Sequence, residues 1–187
     1  MPAFPLEPAM SLSPETRSRI ETILAQHNVA LFMKGNPQAP QCGFSAKAVG
    51  ILGGLVPGFG HVDVLADPEI REGIKVFGQW PTIPQLYVGG ELLGGSDIIE
   101  QMLNSGELHE ALGLPAPDRT PPNIEITPAA AAAITRAMGG ADDEAVLHLS
   151  VDPRSNTRFE LKPATGQEIV TEAAGIRRHL DLASALR

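Results

Sequence analysis

Short apolar runs alternate along this chain with segments whose apolar residues recur at helical spacing. Ser13-Pro14 reads as a helix start, a cap residue with proline just inside it, and Ile20, Ile23, Leu24 and His27 follow at helical intervals. Val29-Ala30-Leu31-Phe32-Met33 is continuously apolar and too short for a helix, so it predicts a buried strand. Two prolines and a glycine between Lys34 and Gln41 predict a loop. A second helix is expected from about Cys42 or Gly43, using Ala46, Val49, Ile51 and Leu52. His61 to Leu65 predicts the next strand, parallel to the first if the helix between them is a crossover. Asp67-Pro68 caps a third helix with Ile70, Ile74 and Phe77 on one face. Gln85 to Val88 and Glu91 to Leu93 flank Gly89-Gly90, the pattern of a hairpin with a two-residue turn. Thr82-Ile83-Pro84 puts a proline at the opening of that hairpin and predicts a cis Ile83–Pro84 bond. Gly94-Gly95-Ser96-Asp97 then opens a helix through Ile98, Ile99 and Met102, and helical turns end near Leu112. This order predicts an α/β unit: a mixed four-stranded sheet with helices on both faces.

From Gly113 to Asn123 four prolines crowd together, which predicts a semi-rigid linker and a domain boundary. Beyond it, Ile124-Glu125-Ile126 reads as a strand, and an alanine-rich helix runs from Thr127-Pro128 to about Met138, stopped by Gly139-Gly140. Val146 to Val151 and Arg158 to Leu161 alternate apolar and polar residues, as half-buried strands do. From about Ile176 to Arg187 the pattern is helical and has no stop signal, the expectation for a fragment of a longer protein. The expected organisation is a loose N-terminus at 1–12, an α/β domain at 13–112, a linker at 113–123 and a smaller α+β domain at 124–187.

Composition narrows the chemistry. With 187 residues, 43% hydrophobic and 19% charged, the chain has the makings of one or two packed domains. A net charge of -8 argues against nonspecific nucleic-acid binding and against anionic membrane surfaces. No apolar run is long enough to span a bilayer, and Met1-Pro2-Ala3-Phe4-Pro5 lacks the basic-then-apolar pattern of a secretory signal. The single cysteine excludes a disulfide scaffold and fits a reducing cytoplasm.

That cysteine, Cys42, stands in Cys42-Gly43-Phe44-Ser45 where a helix is expected to begin. A helix N-terminus favours a thiolate, which is both a nucleophile and a soft metal ligand. A lone cysteine is more often a small buried hydrophobe, but Gln41 and Gly43 flank this one and a Gly/Pro loop precedes it, which implies exposure. Lys34, at the end of the first strand, adds a cation that favours the thiolate further. Amides at Gly94-Gly95-Ser96-Asp97 suit a carboxylate, Arg71 suits a second, and Asp97 suits an amine. A small peptide with a free thiol, a carboxylate at each end and one amine matches this set, and glutathione is such a molecule. Trp80 reads as packing or partner surface, and His27, His61, His109, His148 and His179 show no ligand spacing with Cys42.

Residues 12–112 resemble the monothiol glutaredoxins of the Cys-Gly-Phe-Ser type, which have a thioredoxin-like fold. The resemblance rests on Phe32-Met33-Lys34-Gly35, Cys42-Gly43-Phe44-Ser45, Trp80-Pro81-Thr82-Ile83-Pro84-Gln85-Leu86-Tyr87 and Gly94-Gly95-Ser96-Asp97, in family order and at about family spacing. It implies glutathione held by Lys34, Arg71, the backbone at Ile83, and Ser96 with Asp97. It also implies Cys42 as catalytic thiol and as ligand of a [2Fe–2S] cluster, with apo iron–sulfur proteins or BolA-like proteins as partners. The family often has a cysteine where this chain has Ser96, so chemistry using that second thiol is lost here. A [2Fe–2S] centre takes four thiolates; one chain supplies one, so two chains and two glutathiones complete the set as a homodimer. Cluster transfer to apo-proteins is the main expectation, and glutathione-dependent thiol–disulfide exchange is the alternative. A third reading is a regulatory binding module with the second domain as its contact surface. Residues 124–187 resemble the start of the A-type (HesB-like) iron–sulfur domain, through Ile124 to Ala130 and the strand Ala145 to Val151. That family binds its cluster through three cysteines, and this region has none, so it reads as a docking or dimer-support module or a relic.

Overall fold

The computed structural model describes residues 12–139, 145–152 and 155–185. The expectations for the proline-rich N-terminus before Leu12, for Gly140 and for Leu186-Arg187 lie outside those residues. The chain divides into two compact units, 1–100 and 101–187.

In the first unit, Ser13 caps helix α1 (Pro14–Gln26), its Oγ accepting the Thr16 N–H at 3.1 Å. Strand β1 (Val29–Met33) is buried along its whole length, as its unbroken apolar run requires. It lies inside a sheet of order β4-β1-β5-β6. β1 runs parallel to β4 (Gly60–Asp63) and antiparallel to β5 (Gln85–Val88), which forms a hairpin with β6 (Glu91–Gly94). At the turn, Gly89 and Gly90 have φ of 59° and 83°, the left-handed pair that a type I′ turn needs. Phe32 meets Tyr87 edge-to-face at 5.5 Å, and Ile20 and Leu24 of α1 pack there with Ile70 and Ile74 of helix α3 (Pro68–Phe77). The mixed four-stranded sheet and the order of its elements are those predicted. The unit has the thioredoxin-like fold that the resemblance implies.

Local details differ from the sequence reading. The predicted loop after Lys34 contains a miniature hairpin, β2 (Gly35–Asn36) with β3 (Ala39–Pro40). Asn36 Oδ1 closes it by accepting the Gln38 and Ala39 N–H groups at 3.0 and 2.9 Å. Strand β4 ends at Asp63, not Leu65, because Asp63 Oδ1 accepts the N–H groups of Leu65 and Gly35, each at 2.9 Å, and turns the chain. Helix α2 (Gly43–Leu55) buries Ser45, Ala48, Ile51 and Leu52, while Ala46 is exposed and Val49 half-buried. The buried face includes a serine whose hydroxyl is hydrogen-bonded, a position that counting apolar residues passes over. Helix α4 (Ser96–Ser105) spans the division between units, and Gly106 separates it from α5 (Glu107–Ala111).

In the second unit, helix α6 (Pro128–Met138) is capped by Thr127, whose Oγ1 accepts the Ala130 N–H at 3.3 Å. A four-stranded sheet has the order β8-β7-β10-β9, from β7 (Ala145–Val151), β8 (Thr157–Pro163), β9 (Ile169–Ala173) and β10 (Ile176–Leu180). Three expectations fail here. The Arg158–Leu161 segment is a strand but not a half-buried one, since every residue of β8 is exposed. Ile124–Ile126 forms no strand, since only a few residues separate Pro122 from the cap of α6. The expected helix from Ile176 is strand β10 followed by the short helix α7 (Leu182–Ala185). Ile176, Arg178 and Leu180 are buried while Arg177 is exposed and His179 half-buried, a period of two that the two adjacent arginines obscured. β9, also unforeseen, joins β10 through Ala174 and Gly175 at φ of 52° and 73°.

Glu168 accepts the Thr165 N–H and O–H, each at 2.8 Å, and the Gly166 N–H at 2.9 Å, with His148 and His179 at 3.9 and 4.0 Å. Burial alone would raise its carboxyl, but these bonds, led by those from Thr165, hold it down at about 2. A carboxylate whose folded pKa lies below its ordinary 4.5 contributes stability above that value and loses it as pH falls toward 2. Wild type is therefore expected to lose up to about 3 kcal/mol from this group across that window. Glu168→Gln should be less stable at neutral pH, and the gap should close in acid. Urea unfolding of both proteins at stepped pH measures it, and a gap that stays constant with pH refutes it.

Candidate functional site

Cys42 is the N-cap residue of α2, and its Sγ accepts the Ser45 N–H at 3.3 Å. The thiol also donates to Ser45 Oγ at 3.2 Å, and the same Oγ accepts the Lys34 N–H at 3.1 Å. With its lone pair engaged by Lys34, the Ser45 hydroxyl keeps a proton to donate to the sulfur once the thiol ionises. Burial would raise the Cys42 pKa. The Ser45 hydroxyl and N–H, the Lys34 charge and the Phe44 N–H outweigh it, and the thiol is held below its ordinary range. Cys42 is half-buried, whereas Phe44 beside it is 62% exposed.

A cavity of about 440 Å³ opens in the same unit. Lys34, Arg71, Ile83, Ser96 and Asp97 all line it, so the structure brings these five sequence candidates together. Cys42 is not in its wall; Phe44 and Lys34 are, and they connect the thiol to it. The Ile83–Pro84 bond is cis. Ser96 begins α4 and is buried, and the first amides of a helix have no partner within it, which suits an anion. Gly94 enters this turn at φ 146°, and a Cβ there would stand 2.7 Å from Ile98 Cβ. Asp97 already pairs with Lys47 at 3.3 Å, and Lys47 also reaches Glu100. An amine arriving at Asp97 therefore shares that carboxylate with a resident cation.

Sequence reasoning missed several residues. Lys75 lines the cavity and pairs with Glu72 at 2.9 Å, which gives the site a third cation beside Lys34 and Arg71. Among the described residues the buried Arg71 Nε has no hydrogen-bond partner, with the Glu72 carboxylate 3.8 Å away, and the buried Trp80 indole Nε1 has none either. Gln85 is fully buried. Its Nε2 donates to the Trp80 and Thr82 carbonyls at 2.8 and 3.2 Å, and its Oε1 accepts the Tyr87 hydroxyl at 3.0 Å. Burial pushes the Tyr87 phenol above its ordinary range, so it stays a donor. Spacing could have flagged Lys75, one turn after Arg71, but nothing local marks Gln85 as the group that ties down the Trp80–Thr82 loop. Among the described residues no cluster of three or more His, Cys, Asp or Glu side chains is arranged to hold a metal, and no helix is long and apolar enough to cross a membrane.

The family model described as Glutaredoxin matches residues 29–93. An uncharacterized monothiol glutaredoxin (ycf64-like) of Synechocystis sp. is 52% identical over 101 residues, which are 54% of this chain and 94% of that protein. Monothiol glutaredoxin-4 of Schizosaccharomyces pombe is 48% identical over 101 residues; the match takes 54% of this chain and spans 41% of that relative's length. Among solved structures, the solution structure of reduced poplar apo GrxS14 superposes with a TM-score of 0.50 at 42% identity, covering 56% of this chain and 95% of that one.

Proposed function

Because the chain belongs to the monothiol glutaredoxin family, we propose that it binds glutathione in the cavity beside Cys42 and carries a [2Fe–2S] cluster as cargo. The cluster is held between two Cys42 thiolates and two glutathione thiolates and passed to apo-proteins by ligand exchange. One observation carries this reading: the only cysteine of the chain sits at a helix N-terminus where Ser45 and Lys34 favour its thiolate. A [2Fe–2S] centre takes four thiolates. One per chain forces the rest to come from a second copy and from a small thiol.

The cavity's chemistry supports the small thiol. Lys34, Arg71 and Lys75 offer cations to its carboxylates, the α4 amides at Ser96 and Asp97 offer donors, and Asp97 offers an acceptor to its amine. The Ile83 backbone, in the cavity wall, suits an extended peptide. Two exchangeable ligands of four suit delivery to apo iron–sulfur or BolA-like partners, in the reducing cytoplasm that an unpaired thiol favours. The A-type-like region, without cysteine, supplies no cluster ligand; its part is docking or support of the dimer.

The lowered Cys42 pKa favours a second reading, a glutathione-dependent oxidoreductase. The Cys42 thiolate attacks the glutathione sulfur of a mixed disulfide, forming a Cys42–glutathione disulfide and releasing the other thiolate. A second glutathione thiolate then attacks that adduct, giving glutathione disulfide and returning Cys42.

Anaerobic reconstitution with iron, sulfide and glutathione, read by visible absorption and sizing, separates the two. A coloured dimer that forms only with glutathione is the expected result. A colourless monomer with strong disulfide reductase activity overturns the carrier reading.

A further inference from the structure

The sheet of the second unit carries a cation where the first-unit chemistry has no use for one. Strand pairing sets Arg178 beside Leu147 and Leu180 beside Leu149, with Phe159 and Leu161 next in line on β8. Paired residues share a face, so Arg178, whose neighbour on β9 is Thr171, lies on a sheet face that is otherwise uncharged and largely apolar. It is fully buried, and among the described residues none of its three guanidinium nitrogens has a hydrogen-bond partner. Buried charges are ordinarily paired, and an unpaired one lowers stability.

That face is incompletely covered. α6 has no buried residue, and Phe159 remains 48% exposed. Between them runs a groove of about 600 Å³, walled by Arg178, Leu149, Leu180 and Phe159 from the sheet and by Ala133 and Ile134 from α6. The volume falls within the range of roughly 300–1,000 Å³ usual for small-molecule sites. Apart from Arg178, the only charged side chain in its described wall is Glu125, which is exposed.

We infer that this groove binds an amphipathic monocarboxylate, a small molecule with an apolar body and one carboxylate head that pairs with Arg178. The planar guanidinium fork fits a carboxylate with two parallel hydrogen bonds. Its long side chain meets the head by a rotamer change of the kind common on binding. One buried cation asks for one negative charge, and the apolar wall asks for a hydrocarbon body. The inference goes beyond the glutaredoxin reading and does not depend on Cys42.

The test is calorimetric titration of the full chain with decanoate, and with 1-decanol as its uncharged match. Wild type should bind one decanoate per chain, at least about tenfold tighter than decanol, the scale of one charge-assisted pair. Arg178→Met should lose that preference yet melt no lower than wild type without ligand, since it removes an unpaired buried charge. Ala133→Trp, which fills the groove and keeps the cation, should weaken both ligands. Absence of decanoate binding, equal affinity for the two ligands, or unchanged affinity in Arg178→Met overturns the inference. So does self-association in sedimentation that Arg178→Met abolishes and decanoate does not disperse, which assigns the groove to a second copy of the chain.

Discussion

Cys42→Ser is expected to abolish both cluster assembly and disulfide reduction while leaving the fold in place. A serine keeps the N-cap role, since its oxygen accepts the Ser45 N–H as the sulfur does, and serine is among the best N-cap residues. The melting temperature should therefore stay within a few degrees of wild type. An alkoxide is not accessible near neutral pH and is a poor match for iron in a sulfide cluster, so no coloured species should form on reconstitution. With no second cysteine in the chain, residual activity has no thiol to come from. A coloured Cys42→Ser dimer would sink the assignment of the cluster to this thiol.

Ser45→Ala should have the second-largest effect. It removes the hydroxyl that faces the Cys42 sulfur and leaves the Lys34 N–H without its acceptor. The burial that opposes the thiolate stays, while its largest favourable contribution goes, so the thiol pKa rises. A charge-assisted hydrogen bond is worth about 1.5–3 kcal/mol, so alkylation of Cys42 at neutral pH should slow by roughly tenfold or more. Ser45→Thr, which keeps the hydroxyl, should restore much of the rate if the site accommodates the extra methyl. Equal alkylation rates in wild type and Ser45→Ala would show that the helix terminus and Lys34 suffice.

Most of the first unit was legible in the sequence because its signals are local. The unbroken run Val29–Met33 admits only a buried strand at that length, Ser13 and Asp67 mark helix starts with prolines behind them, and Gly89-Gly90 fits one turn type. The sequence candidates that line the cavity could be named from their places in the predicted elements together with the family resemblance. Their connections could not, because Gln85 and Ser45 act through hydrogen bonds between positions whose nearness only the fold creates. The second unit was read less well. In β10, Arg177 and Arg178 look equally polar in sequence, yet one is exposed and the other fully buried. A charge on the inner face hides a strand's alternation, and the residue that spoiled the pattern has no hydrogen-bond partner for its guanidinium among the described residues.

The hydrogen bonds of Gln85 couple two properties that are usually measured separately. The Tyr87 ring belongs to the hydrophobic core, its hydroxyl anchors Gln85, and Gln85 fixes the loop that forms one wall of the cavity. The shape of the ligand site is in this sense inherited from the packing beneath it. Substitutions in the core around Phe32, Phe77 and Tyr87 will then register as weakened ligand affinity well before the domain unfolds. Second-site changes that repack the core can restore binding without ever touching the ligand, so a genetic suppressor of a binding defect in this protein is as well sought beneath the site as within it.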